Sequence, residues 1–183
     1  MINSRNSQTK KKLRRLAILL VITGSAVLLA ASTHAALIKQ SYGSLQKSYV
    51  ASSTATFTTS STSYVPVPGA TLDVTIPAGA PQMVIVSFSA ASSCFNPNPN
   101  GGWCTVTMFS GRELDPAVGT AYSFDSARSD GAFTRAYTVD RSIVLSPGTH
   151  KITVRAIVST PSAPGTEFTL VGWHLSAATY APR

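Results

Sequence analysis

The sequence predicts an all-β fold, an antiparallel sandwich, and three observations carry that expectation. Segments in which apolar and polar residues alternate with a period of two recur along the chain, as in half-buried strands. Gly and Pro stand between them as turn punctuation. No stretch after Ile38 keeps a helical period over three turns. About eight strands in a chain of this size must bury their apolar faces on each other, and two packed sheets achieve that.

Each element follows from its own pattern. Thr54–Thr59 is rich in Thr, whose branched side chain suits a pleated surface, so Ser52–Ser63 reads as a strand rather than a glycosylated stalk. Leu72, Val74 and Ile76 alternate with Thr71, Asp73 and Thr75, and Pro77-Ala78-Gly79 ends the run. Val84, Val86 and Phe88 alternate with Met83, Ile85 and Ser87; both faces are apolar at first, which suits a central strand. Val106 and Met108 alternate with Thr105 and Thr107. Tyr137, Val139, Ile143 and Leu145 read as a strand pair broken at Asp140-Arg141. After the turn at Pro147-Gly148, Ile152, Val154, Ala156 and Val158 alternate with Lys151, Thr153 and Arg155. Phe168–Tyr180 closes the chain with one long strand or two.

The segment ahead of this domain reads as an export signal. Arg5, Lys10, Lys11, Lys12, Arg14 and Arg15 form a basic leader, and an apolar run, Leu16–Ala31, follows. Small residues at Thr33 and Ala35 flank His34, the pattern a signal peptidase reads. The expected order is therefore a signal helix over 1–35, cleaved after Ala35, a polar linker over 36–46 and the domain over 47–183. An uncleaved membrane anchor is the alternative, and needs the apolar stretch to extend to Ile38. Leu13 and Ala17 are poor matches to a twin-arginine signal, which favours the general secretory route. The expected location is extracellular.

The leader also explains the net charge of +8. Six of the 15 basic residues fall within it, leaving nine against seven acidic ones. A balance of about +2 without basic runs predicts no nucleic-acid partner.

A resemblance adds to this reading. Thr59-Ser60-Ser61-Thr62-Ser63-Tyr64-Val65-Pro66-Val67-Pro68-Gly69 runs into Leu72-Asp73-Val74-Thr75-Ile76. It resembles the opening of jelly-roll domains in bacterial secreted proteins and phage tail fibres. These are similar to the complement-type and tumour-necrosis-factor-like globular heads. Val84–Ala90 resembles their second core strand, and Ser146-Pro147-Gly148-Thr149-His150 their penultimate hairpin. The resemblance implies a jelly-roll-like sandwich that assembles, often as a homotrimer, and binds partners without catalysis. It carries no active-site residues.

Candidate chemistry is sparse. Cys94 and Cys104 are the only cysteines. In an exported chain, at the neck of a Pro/Asn/Gly-rich hairpin loop, they read as a disulfide, since neither CxxC spacing nor a nearby His suggests a metal. Trp103 follows Gly101 and Gly102, so its indole is either a platform for a sugar ring or a cation, or a cover for the Cys94–Cys104 bond. Asn98 and Asn100 share that loop, and Asp125 and Asp130 mark a second polar loop ending at Gly131. These five residues, Trp103, Asn98, Asn100, Asp125 and Asp130, are the candidate ligand contacts. The second loop lacks the ligand spacing of a calcium site. Trp173 lies among apolar residues and reads as core. His150 and His174 are too far apart in sequence for a zinc signature. No G-x-S-x-G is present. Glu113 and Asp115 would share a strand face, so a hydrolase using paired carboxylates is the alternative function. The leading expectation is a secreted, non-catalytic binding or structural module, using sandwich loops or a subunit interface and no cofactor. Its ligand would be a carbohydrate or a protein.

Overall fold

The computed structural model of the chain describes residues 43–97, 102–115, 123–126, 129, 134–159 and 165–182. The leader lies outside these residues. Among them there are nine strands and no helix: β1 (Leu45–Thr59), β2 (Val65–Ile76), β3 (Gln82–Phe95), β4 (Trp103–Ser110), β5 (Arg112–Glu113), β6 (Asp125–Ser126), β7 (Arg135–Leu145), β8 (Gly148–Ser159) and β9 (Glu167–Tyr180). They form two antiparallel sheets that make a β-sandwich. The first runs β1-β9-β3-β7 and the second β2-β8-β4-β5, with β6 also paired to β4. β1 begins at Leu45, inside the stretch read as polar linker.

Alternation places the core. Val84, Val86 and Phe88 of β3, Leu170, Trp173 and Leu175 of β9, and Val154, Ala156 and Val158 of β8 all point between the sheets and are buried. Phe88 stacks near Trp173, with ring centroids 6.4 Å apart, and Phe124 lies 6.2 Å from Phe168. These interleaved rings fill the space that separates two packed sheets.

Two glycines in the left-handed region lie beside Trp173 in sequence or in space. At Gly172 (φ +67°) the register between β3 and β9 slips by one residue. This left-handed position is one that glycine adopts without steric cost, and the resulting bulge keeps both Val171 and Trp173 in step with their faces. Gly69 (φ +73°) faces the Trp173 ring; a Cβ there would stand 3.5 Å from Cζ2.

β7 differs from the broken pair expected from sequence: it is one continuous strand. Arg141 takes an inward position between Val139 and Ile143, is buried, and donates from Nη1 to the Asp140 carbonyl at 2.9 Å. The alternation continues through a charged side chain, which a hydrophobic pattern cannot register.

The edges of the sheets are closed by specific devices. β2 lies at the edge of its sheet, where Pro66 and Pro68 accompany an irregularity between Pro66 and Thr71. Tyr49 of β1 reaches across to the same strand: its hydroxyl donates to the Thr75 carbonyl and accepts from the Thr75 N–H, both at 3.0 Å. One phenol thus satisfies two backbone groups and ties the sheets together.

Candidate functional site

The ends of the strands gather at two poles. Leu45, Tyr180 and Met83 lie side by side at one; Thr59, Phe168 and Cys94 lie at the other. Met83 and Cys94 are eleven steps apart along β3, about 36 Å at ~3.3 Å per residue. The second pole carries Cys94, Trp103, Cys104 and Asp125.

Cys94 and Cys104 are bonded there, with Cα atoms 5.8 Å apart. β3 and β4 belong to different sheets, so the bond does not close the neck of a two-stranded hairpin; it crosses the core and joins the sheets. Both cysteines are buried. The sequence signal could not separate the two arrangements, since both place a turn between two strands.

Trp103 adjoins Cys104 and therefore projects to the opposite face of the strand. It does not cover the disulfide. Its indole is 50% exposed, whereas Trp173 is buried. Ser126 of β6 and Ser159 of β8 flank it in register on either side. The ring therefore stands on the outer face of the second sheet. Its backbone is held by ladders on both sides and by the disulfide one residue away.

Asp125 sits opposite Cys104 on β6 and turns inward, where it is buried. Its Oδ2 accepts from the Ser92 hydroxyl at 3.0 Å and its Oδ1 from the Ser126 N–H at 2.8 Å. The carboxylate thus links β6 to β3 of the other sheet and steadies the strand beside Trp103. A second buried contact braces the same pole: the Asn96 amide donates to the Thr166 hydroxyl. No sequence pattern marked Ser92, Asn96 or Thr166 as partners, because their contacts span 33 and 70 residues. Asn98, Asn100 and Asp130 lie outside the described residues.

Two of the candidate carboxylates stand well apart. Glu113 pairs beside Phe109 and Asp125 beside Cys104, five positions apart on β4, which is ~17 Å. Glu113 accepts from the Thr107 hydroxyl at 2.5 Å. Asp115 holds Arg112 at 3.2 Å and bridges to Ser142 through its backbone. Nearby, Tyr64 meets Phe109 edge-on, and burial, reinforced by the Glu113 charge and opposed by Arg141, raises its phenol above the ordinary value. His150 contacts the Ser146 carbonyl at 2.8 Å, and His174 is exposed on the first sheet. Among the described residues no three His, Cys, Asp or Glu side chains gather as metal ligands.

The chain matches no protein-family model and no curated protein. Among solved structures, it is similar to a chain described as the cyanophage Pam1 capsid asymmetric unit, with a TM-score of 0.34 and 13% identity, covering 84% of this chain and 99% of that one.

Proposed function

We propose that this chain is an exported, non-catalytic module that recognises its ligand at the disulfide-braced pole, with Trp103 as the contact residue. The observation that carries the reading is the exposed indole, held on a strand that is paired on both sides and stapled to the opposite sheet. An exposed Trp on a rigid β scaffold offers a flat apolar face at little entropic cost. A sugar ring, whose C–H face stacks on indole, is the ligand class that suits it best.

The order of the strands supports a jelly-roll description. From β1 to β4 the chain changes sheet at every step, and from β6 to β9 it does so again. This winding is the double Greek key of that architecture. It puts the start of β1 at the pole opposite Trp103. Assembly into homo-oligomers is the second half of the reading, and rests on the resemblance to oligomeric heads.

The test is a glycan array followed by fluorescence titration of the exported protein. A hit should perturb the emission of Trp103 and be lost in Trp103→Ala, with the melting temperature unchanged. Binding that survives Trp103→Ala overturns the assignment.

A further inference from the structure

The outer face of the first sheet is unlike the rest of the surface. Its outward positions on β3, β7 and β9 are mostly Ser, Ala, Thr and Val. Asp140 is the one carboxylate near its centre, and the Ser87 hydroxyl donates to it. Ile85 and Val144 rise from the face at 40% and 42% exposure, near the end where Met83 lies. Toward the Trp103 pole the same face sinks twice. One hollow is lined by Ser89, Ala91, Ala136, Thr138 and His174 around the bulge at Gly172. The other is lined by Ser93, Phe95, Thr134, Glu167, Thr169 and Val171.

These knobs and hollows are related by a rotation. Consider a two-fold axis lying in the plane of contact, crossing the strands at the level of Phe88. It carries β3 onto itself reversed, so Ile85 of one copy lies over Ala91 of the other, in the first hollow. It lays β7 over β7, also reversed, so Val144, level with Met83, lies over Thr134, one step past the Ser92–Arg135 pair, at the side of the second hollow. At the axis itself stand Ser87 and Ser89, small enough for close approach. An isologous interface requires such self-complementarity, with each knob and its own hollow on one patch.

We infer that this face is the contact surface for a second copy of the chain, in a two-fold pair with sheets stacked face to face. Charge and area agree. The centre is depleted of charge, as interface cores are. Four strands at ~4.8 Å spacing and eight residues at ~3.4 Å give roughly 500 Å² per copy, about 1,000 Å² for the pair, the lower bound for a specific interface. The face lacks exposed aromatic residues near its centre and basic clusters, so polysaccharide, nucleic acid and anionic lipid fit it poorly. This inference deepens the assembly half of the proposed function and is independent of the Trp103 half.

The test is sedimentation equilibrium of the exported protein from 1 to 100 μM (about that range suits a small interface). A dimer mass with micromolar dissociation is expected. Ile85→Lys, which drives an ammonium into the first hollow, and Ala91→Arg, which fills it, should each weaken association at least ~100-fold. Melting curves establish that both remain folded. Should either unfold, a cysteine at Ser89 answers instead: a short bis-maleimide should join it to its own copy, and should leave Thr75→Cys, on the other sheet, unjoined. A monomer at every concentration, a dimer indifferent to both substitutions, no cross-link at Ser89→Cys, or a trimer overturns the two-fold pair. Glycan binding through Trp103 can persist in all of those cases, so failure here is distinguishable from failure there.

Discussion

Removing the Cys94–Cys104 bond should lower stability by about 2.7 kcal/mol, and this is the sharpest test of how the recognition pole is held. The two cysteines are ten positions apart. Closing a loop of that length removes ~9 cal/mol/K from the unfolded chain, which at 25 °C is about 2.7 kcal/mol. The perturbation should be Cys94→Ala with Cys104→Ala, since Ser at position 104 would add a buried hydroxyl with its own cost. A domain of about 140 residues loses roughly 3–5 °C of melting temperature per kcal/mol, so the expected shift is about 8–13 °C. Calorimetry of both proteins, with and without reductant, reads it. The double variant should ignore reductant and still melt cooperatively, because the paired strands and the aromatic core do not depend on the bond. A shift below about 2 °C would mean that the turn between the cysteines is already restricted in the unfolded chain, and that the bond is not what holds the pole. Loss of all cooperative melting would overturn the prediction from the other side.

Three further predictions follow from particular atoms. Tyr49→Phe leaves the Thr75 N–H and carbonyl without the phenol, and denaturant unfolding should show a loss of about 1–2 kcal/mol at unchanged m-value. The Tyr64 phenol is raised above its value of 10.0 in the folded protein, so its neutral form contributes stability that is fully present below pH 10 and fades as pH rises through the folded value. Tyr64→Phe should therefore lessen the fall of stability between pH 10 and more alkaline conditions, measured by urea midpoints; an unchanged slope sinks this (the pH floor is the ordinary phenol value). N-terminal sequencing of protein from the medium should begin at Ala36, whereas recovery only with membranes, leader intact, identifies an anchor.

Local alternation was enough to locate the strands and assign their faces. Period-two alternation is a local property, and Leu72/Val74/Ile76, Val84/Val86/Phe88 and Ile152/Val154/Ala156 each named their buried side without reference to any partner. It failed locally where a polar residue occupied an inward slot, as Arg141 does in β7, and where no alternation marked a strand's start, as at Leu45. Pairing was another matter. Which strand lies beside which is set by long-range ladders and by the packing of two whole faces, so β3 and β4, adjacent in sequence, fell into opposite sheets. Only that tertiary fact turned the Cys94–Cys104 bond from a loop clasp into a staple between sheets. It turned Trp103 outward with the same stroke, since neighbours on a strand face opposite ways. Asp125 shows the same limit: as a polar loop residue it suggested a ligand contact, but its burial and its bond to Ser92 depend on a strand 33 residues earlier in the chain. Local sequence encodes which side of an element is apolar; what that side meets is decided by the closure of the two sheets on one core.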